Sequence, residues 1–176
     1  GTAFSLNFLG SCAKAQGDYD QSRTYFERAV AVYHMIQDEI GAAMVLNNLG
    51  NLLQIQEDFE GAQNYYIESS GILKTHDHIH GAATTLANAG KLAAKQGKYD
   101  TARKLLGESL EMKRKINDQR GEAVALAGLA DISLATDAHA EAREQFLQAL
   151  ELARQVGDVQ LMLDILVAMV ALTVKQ

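Results

Sequence analysis

The stretch Leu46-Asn47-Asn48-Leu49-Gly50-Asn51 carries the pattern from which the fold is read, because its spacing recurs along the whole chain. Laid out in blocks of 40 from Gly1, Gly41, Gly81 and Gly121, like residues fall in register without a gap, and a fifth block begins at Leu161. Position 3 is Ala3, Ala43, Ala83 and Ala123; position 6 is Leu6, Leu46, Leu86 and Leu126; position 9 is Leu9, Leu49, Ala89 and Leu129. Position 10 is Gly10, Gly50, Gly90 and Ala130, small enough for another element to approach closely. Spacings of three and four place these residues on one face of a helix running from about position 2 to position 15.

That helix ends at Gln16-Gly17-Asp18, Gln56-Glu57-Asp58, Gln96-Gly97-Lys98 and Thr136-Asp137-Ala138, where Gly17 and Gly97 suit a left-handed cap. A second helix is expected from about position 20 to position 36, with Asp20, Glu60 and Asp100 at its positive end. Its apolar stripe includes Ala62, Ala102 and Ala142, then Phe26, Tyr66, Leu106 and Phe146. Asp38, Asp118 and Asp158 are suited to cap the next first helix. The chain has no proline, so nothing interrupts these helices.

The pattern resembles the tetratricopeptide repeat, whose signature sets a large residue, Leu-Gly, and later Ala, Phe and Ala at fixed offsets. The large residue corresponds to Leu6, Leu46, Leu86 and Leu126, Leu-Gly to Leu9-Gly10 and Leu49-Gly50, and the later trio to Ala142, Phe146 and Ala149. The signature proline is replaced by His34, Lys74, Arg114 and Arg154, which lets the second helix continue and accounts for the long repeat. Long repeats of this kind resemble those of kinesin light chains, of spindle adaptors with Leu-Gly-Asn motifs and of bacterial STAND-type regulatory ATPases. The wording of Asn117-Asp118-Gln119-Arg120-Gly121 is most similar to the last group. The resemblance implies an all-α fold, a right-handed α-solenoid of antiparallel helix pairs. Its repeats would be 1–40, 41–80, 81–120 and 121–160, with a fifth first helix over 161–176, in a fragment of a longer protein.

The resemblance also places a binding groove along the first helices, at positions 4, 7, 8, 11, 14 and 15 of each block. There stand Asn7, Asn47, Asn48, Asn51 and Asn88, with Lys91 and Asp131 and apolar Phe4, Met44 and Val124. Asn is a poor helix former, so its recurrence needs a reason. An amide both donates and accepts, which suits it to the backbone of an extended peptide, and in the family Asn residues in this context act so. The competing reading makes them solvated, or bonded between neighbouring repeats. The carboxylate clamp of chaperone-binding members wants basic residues where Asn7, Thr84 and Asn88 stand, which argues against capture of a C-terminal carboxylate.

The net charge of −6 argues against nucleic acid or a membrane surface as the main partner. By block the charge is −2, −4, +5 and −5, so the third block is a basic repeat between acidic neighbours. Nucleic-acid or phosphate binding through it, with Lys91 and Lys95, is the lesser reading. His76, His78 and His80 space imidazoles as a Zn or Ni loop requires, but His76 replaces Ile36, Ile116 and Val156, and His78 replaces the capping Asp, so drift in one loop is the simpler account. Cys12 aligns with Leu52, Leu92 and Ile132 and is expected in the core; as the only cysteine it builds no disulfide framework, which suits the cytoplasm.

No phosphate-binding loop, nucleotide fingerprint or catalytic triad motif is present, and the acids are spread over helix surfaces. The expectation is therefore a non-catalytic scaffold without cofactor, binding a peptide, protein or inducer as part of a larger bacterial signalling regulator. The alternative is a stand-alone peptide-binding adaptor. Leu161 to Val174 is too short to span a bilayer but apolar nearly all round, with Leu166, Met169 and Thr173 at core positions. Self-association through that segment is expected.

Overall fold

The computed structural model describes residues 1–174, with side chains to residue 170. The helices are α1 Thr2–Ala15, α2 Tyr19–Met35, α3 Glu39–Ile55, α4 Phe59–Thr75, α5 Ile79–Lys95, α6 Tyr99–Lys115, α7 Gln119–Ala135, α8 His139–Val156 and α9 Val159–Val174. The fold is an all-α helical-repeat solenoid in which α1, α3, α5, α7 and α9 are the first helices of successive repeats. Two compact units are distinguished, Gly1–Thr85 and the residues from Leu86 onward.

Helices α2 to α7 are each 17 residues long, so the extra length of the repeat is shared by first and second helices. The first helices α3, α5 and α7 begin two residues before the glycine that opened each block, at Glu39, Ile79 and Gln119. Behind the 40-residue period lies a finer one. Residues 17, 37, 57, 77, 97, 117, 137 and 157, one in every 20, all take a left-handed backbone conformation. Only Gly17, Gly97 and Gly157 do so without a Cβ; Gln37, Glu57, Asp77, Asn117 and Asp137 bear a cost of about 1 kcal/mol each. The turn is held by backbone bonds that reach back five residues, such as Asp38 N to Tyr33 O at 2.9 Å and Asp58 N to Leu53 O at 3.0 Å.

The residue after each left-handed one is the N-cap of the next helix. Asp18, Asp38, Asp58, Asp118 and Asp158 accept from the backbone N–H three residues on, at 2.8 to 3.1 Å. Lys98 and Ala138 stand at the same place and make no side-chain cap.

In each repeat the second helix sets a large side chain against the small residue at position 10. A Cβ added to Gly10 would come within 2.6 Å of the Phe26 ring, and one on Gly50 within 2.6 Å of Tyr66. The Phe26 and Tyr66 rings are fully buried, so close approach is what the recurring spacing of small and large residues provides. Ser22 and Ser69, in the same interface, donate to Gly10 O at 2.8 Å and Ala43 O at 2.7 Å, which satisfies their buried hydroxyls.

Position 5 faces the preceding repeat, and position 6 faces the second helix of its own repeat. This corrects the reading of the last helix. Leu166 at position 6 is 42% exposed, because no second helix follows α9 among the described residues, whereas Ile165 at position 5 is 2% exposed against α7 and α8. Met169 is half-buried, and Thr173 lies outside the residues whose side chains are described. The same geometry leaves Cys12 half-buried where Leu52 and Ile132 are fully covered, since α1 is the first of the described helices. No helix among the described residues is long and apolar enough to cross a membrane.

Candidate functional site

In the unit Gly1–Thr85, first helices α1, α3 and the start of α5 enclose a cleft of about 230 Å3 lined by Asn7, Met44, Asn47, Asn48, His80 and Thr84 among others. Helix periodicity brings these together, since positions 4, 7 and 8 lie on one face. Asn48 Nδ2 donates to Asn7 Oδ1 at 2.9 Å across adjacent repeats. That bond uses one donor and one acceptor and orients both amides. The Asn7 NH2 and the Asn48 carbonyl keep capacity for a ligand. The tie between neighbouring repeats therefore exists, and it lies in the wall of a cleft.

Asn51 has a different place. The Tyr66 hydroxyl stands 2.8 Å from Asn51 Oδ1 and 3.0 Å from Gln54 Oε1. Its single hydrogen can serve one of these carbonyls at a time, and burial raises the phenol well above its ordinary value. Asn51 thus closes the buried end of an aromatic side chain, and it does not line the cleft.

In the unit from Leu86 onward, first helices α5, α7 and α9 line a cleft of about 380 Å3 that includes Lys91, Ala94, Val124, Ala127, Asp131, Leu161 and Asp164. Ala127 and Gly128 hold positions 7 and 8, where the first unit has Asn47 and Asn48, so the amides are replaced by space. Lys91 and Asp131 keep open surface, yet the surrounding helix walls withdraw water from both. Desolvation lowers the Lys91 ammonium and raises the Asp131 carboxyl, each shift opposed by the other's charge. Asn88 is half-buried on α5 and lines neither cleft. Asp164 was missed in the sequence because α9 reads as an apolar helix, although it stands at position 4 of the fifth block.

Of the nine cations of the third block, Arg103, Arg114 and Arg120 pair with the acidic fourth block and Lys113 with Asp118 of its own. Lys113 Nζ lies 2.8 Å from Asp118 Oδ2, Arg114 Nε 2.8 Å from Glu122, Arg120 Nε 2.7 Å from Asp158 and Arg103 Nη1 3.2 Å from Glu141. The alternation of +5 and −5 thus includes ties between helices, which occupy four of the nine cations that a phosphate backbone would draw on.

The His loop does not assemble a metal site: no group of three His, Cys, Asp or Glu suited to a metal ion occurs among the described residues. His78 takes the N-cap place, its Nδ1 buried without a hydrogen-bond partner, 2.5 Å from where a Cβ on Gly81 would lie. That is where Asp38, Asp58 and Asp118 set a carboxylate oxygen in the other turns. His80 lies in the wall of the amide cleft.

A family model described as tetratricopeptide repeat matches residues 1–75 and 81–155. No curated protein sequence matches the chain. Among solved structures, BtubC (BKLC) from P. vanneervenii superposes with a TM-score of 0.79 at 18% identity, over 88% of this chain and 64% of its own. Aspartyl phosphate phosphatase F from Bacillus subtilis gives 0.86 at 14% identity, over 93% of this chain and 43% of its own. The apo form of RapI gives 0.82 at 17% identity, over 89% of this chain and 57% of its own. The chain thus spans less than two thirds of each of these structures, and at such identities the likeness is one of fold.

Proposed function

The chain belongs to the tetratricopeptide-repeat family, and on that premise we propose that it is a non-catalytic scaffold whose first-helix clefts bind a peptide or a peptide segment of a protein. The observation that carries this reading is the Asn7–Asn48 pair in the wall of the amide cleft. Two side chains, fixed by their mutual bond, offer an NH2 and a carbonyl in a concavity with Met44 beside them, the mixture of directional amides and apolar surface that an extended backbone needs. Further to this reading, the scaffold serves as the sensor or interaction module of a larger cytoplasmic bacterial regulator of the STAND type. The resemblance of the repeat wording supports that context. Self-association through Leu161 to Val174 is supported by the exposure of Leu163, Leu166, Val167 and Val170.

The test is a peptide array of random dodecamers, with the strongest hits measured by calorimetry against the intact chain and against Asn48→Ala and Asn7→Ala. A loss of at least about tenfold is expected, the size of one or two hydrogen bonds in a desolvated cleft. Hits whose affinity is unchanged by both substitutions would overturn the assignment of this cleft.

A further inference from the structure

The cleft of the second unit differs in chemistry from the amide cleft. Its charged wall residues are one ammonium, Lys91, and two carboxylates, Asp131 and Asp164. Lys91 and Asp131 feel each other's charge across the cleft lining. Among the described residues Asp164 accepts a neutral amide, Gln160 Nε2 at 2.9 Å. Arg120, the nearby cation that acts on Lys91, is bound to Asp158 at 2.7 Å. Two carboxylates against one ammonium leave the lining of the cleft with a net charge of −1.

The rest of the lining is apolar and small. Ala94, Val124, Ala127, Gly128 and Leu161 leave a cleft of about 380 Å3, with room for an unbranched aliphatic stem. We propose that this cleft receives a lysine or arginine side chain of the bound peptide, its cationic head between Asp131 and Asp164 and its methylenes along Val124, Ala127 and Leu161. The proposal rests on the peptide-binding reading above and names the residue type that this part of the face selects. Lys91 adds direction: it repels a second cation on the α5 side and favours an acidic or neutral neighbour there.

The experiment uses the intact chain and four blocked pentapeptides, acetyl-Gly-Ala-X-Ala-Gly-amide, with X as lysine, arginine, norleucine or glutamate, followed by amide chemical shifts. Lysine and arginine peptides are expected to shift Ala127, Gly128, Leu161 and Asp164 saturably. Norleucine, equal in stem but uncharged, should bind at least about tenfold more weakly, as the loss of a charge-assisted hydrogen bond dictates. Asp164→Asn, a change at an exposed side chain, should erase the preference for lysine over norleucine. Equal binding of lysine and norleucine, or tighter binding of glutamate, overturns the proposal. Saturation by free 1,5-diaminopentane as strong as by the lysine peptide overturns it too, by making the cleft a site for small cations. Charge-blind shifts around Asn48 with the second cleft silent defeat this inference alone. Silence of every peptide, including the array hits, removes the peptide-binding reading with it.

Discussion

Tyr33 and Lys113 stand at the same position of their repeats, one in each unit, and do the same packing by different physics. A Cβ on Gly41 would meet the Tyr33 ring at 2.4 Å, and one on Gly121 would meet Lys113 Cδ at 2.5 Å. Lys113 is 5% exposed, with its ammonium 2.8 Å from Asp118. The first unit fills this space with an aromatic ring; the second fills it with methylenes and compensates the charge they carry with the residue that already caps α7. The same contrast runs through the first-helix faces, amides in one unit and a charged, roomy cleft in the other. A repeat frame fixed by small-to-large packing thus tolerates wide exchange wherever a local partner satisfies the polar group.

The sharpest way to break this comparison is the cap itself. Asp38→Ala should cost about 1 kcal/mol in denaturant unfolding, the usual loss of an N-cap. Asp118→Ala removes the same cap and also the carboxylate 2.8 Å from the buried Lys113 ammonium, so a larger loss, up to about 3–5 kcal/mol, is expected. Equal losses would mean that Lys113 reaches water unaided.

Next in size is the small residue of position 10. Gly50→Ala should destabilise by about 1–3 kcal/mol, because the new methyl meets the fully buried Tyr66 ring. Ala130→Gly, the reverse change in the second unit, should lose about 1 kcal/mol for a different cause, helix propensity. Thermal melts of the pair separate the two; a neutral Gly50→Ala would refute close ring packing as the reason for glycine there.

A gain is expected where a cap is missing. Ala138→Ser should raise stability by about 1 kcal/mol, since Asp18 and Asp58 show what the equivalent side chain does for α2 and α4. No change in the unfolding midpoint would show that the α8 terminus is already satisfied.

The smallest effect concerns acid. The Leu161 N–H and then Arg120 hold the Asp158 carboxyl below its ordinary 3.8. A carboxyl lowered on folding stabilises above the unfolded value, and that contribution is lost as pH falls through the folded one. Between about pH 6 and pH 2, wild type should therefore lose stability more steeply than Asp158→Asn. Parallel curves would show that the bond does not persist in solution.

Much of this was legible beforehand. The in-register Ala3, Leu6 and Gly10 series gave the helix pairs, and Gly17 and Gly97 gave the left-handed turns. Gln37 and Glu57 escaped because their residue types carry no sign of that conformation. Asp164 escaped because its helix was read for its apolar residues. Asn51 was assigned to ligand contact because a sequence does not show that a tyrosine hydroxyl from the neighbouring helix ends on it.

The sequence by itself determined the periodicity, the faces and the capping residues of this protein, because helix geometry converts spacing directly into neighbourhood within and between adjacent elements. Tertiary structure alone decided which polar groups are already spoken for. Whether Asn48, Asn51, Lys91 or Lys113 is free for a ligand depends on atoms 12 or more residues away or across a turn, and on how much water the surrounding walls displace.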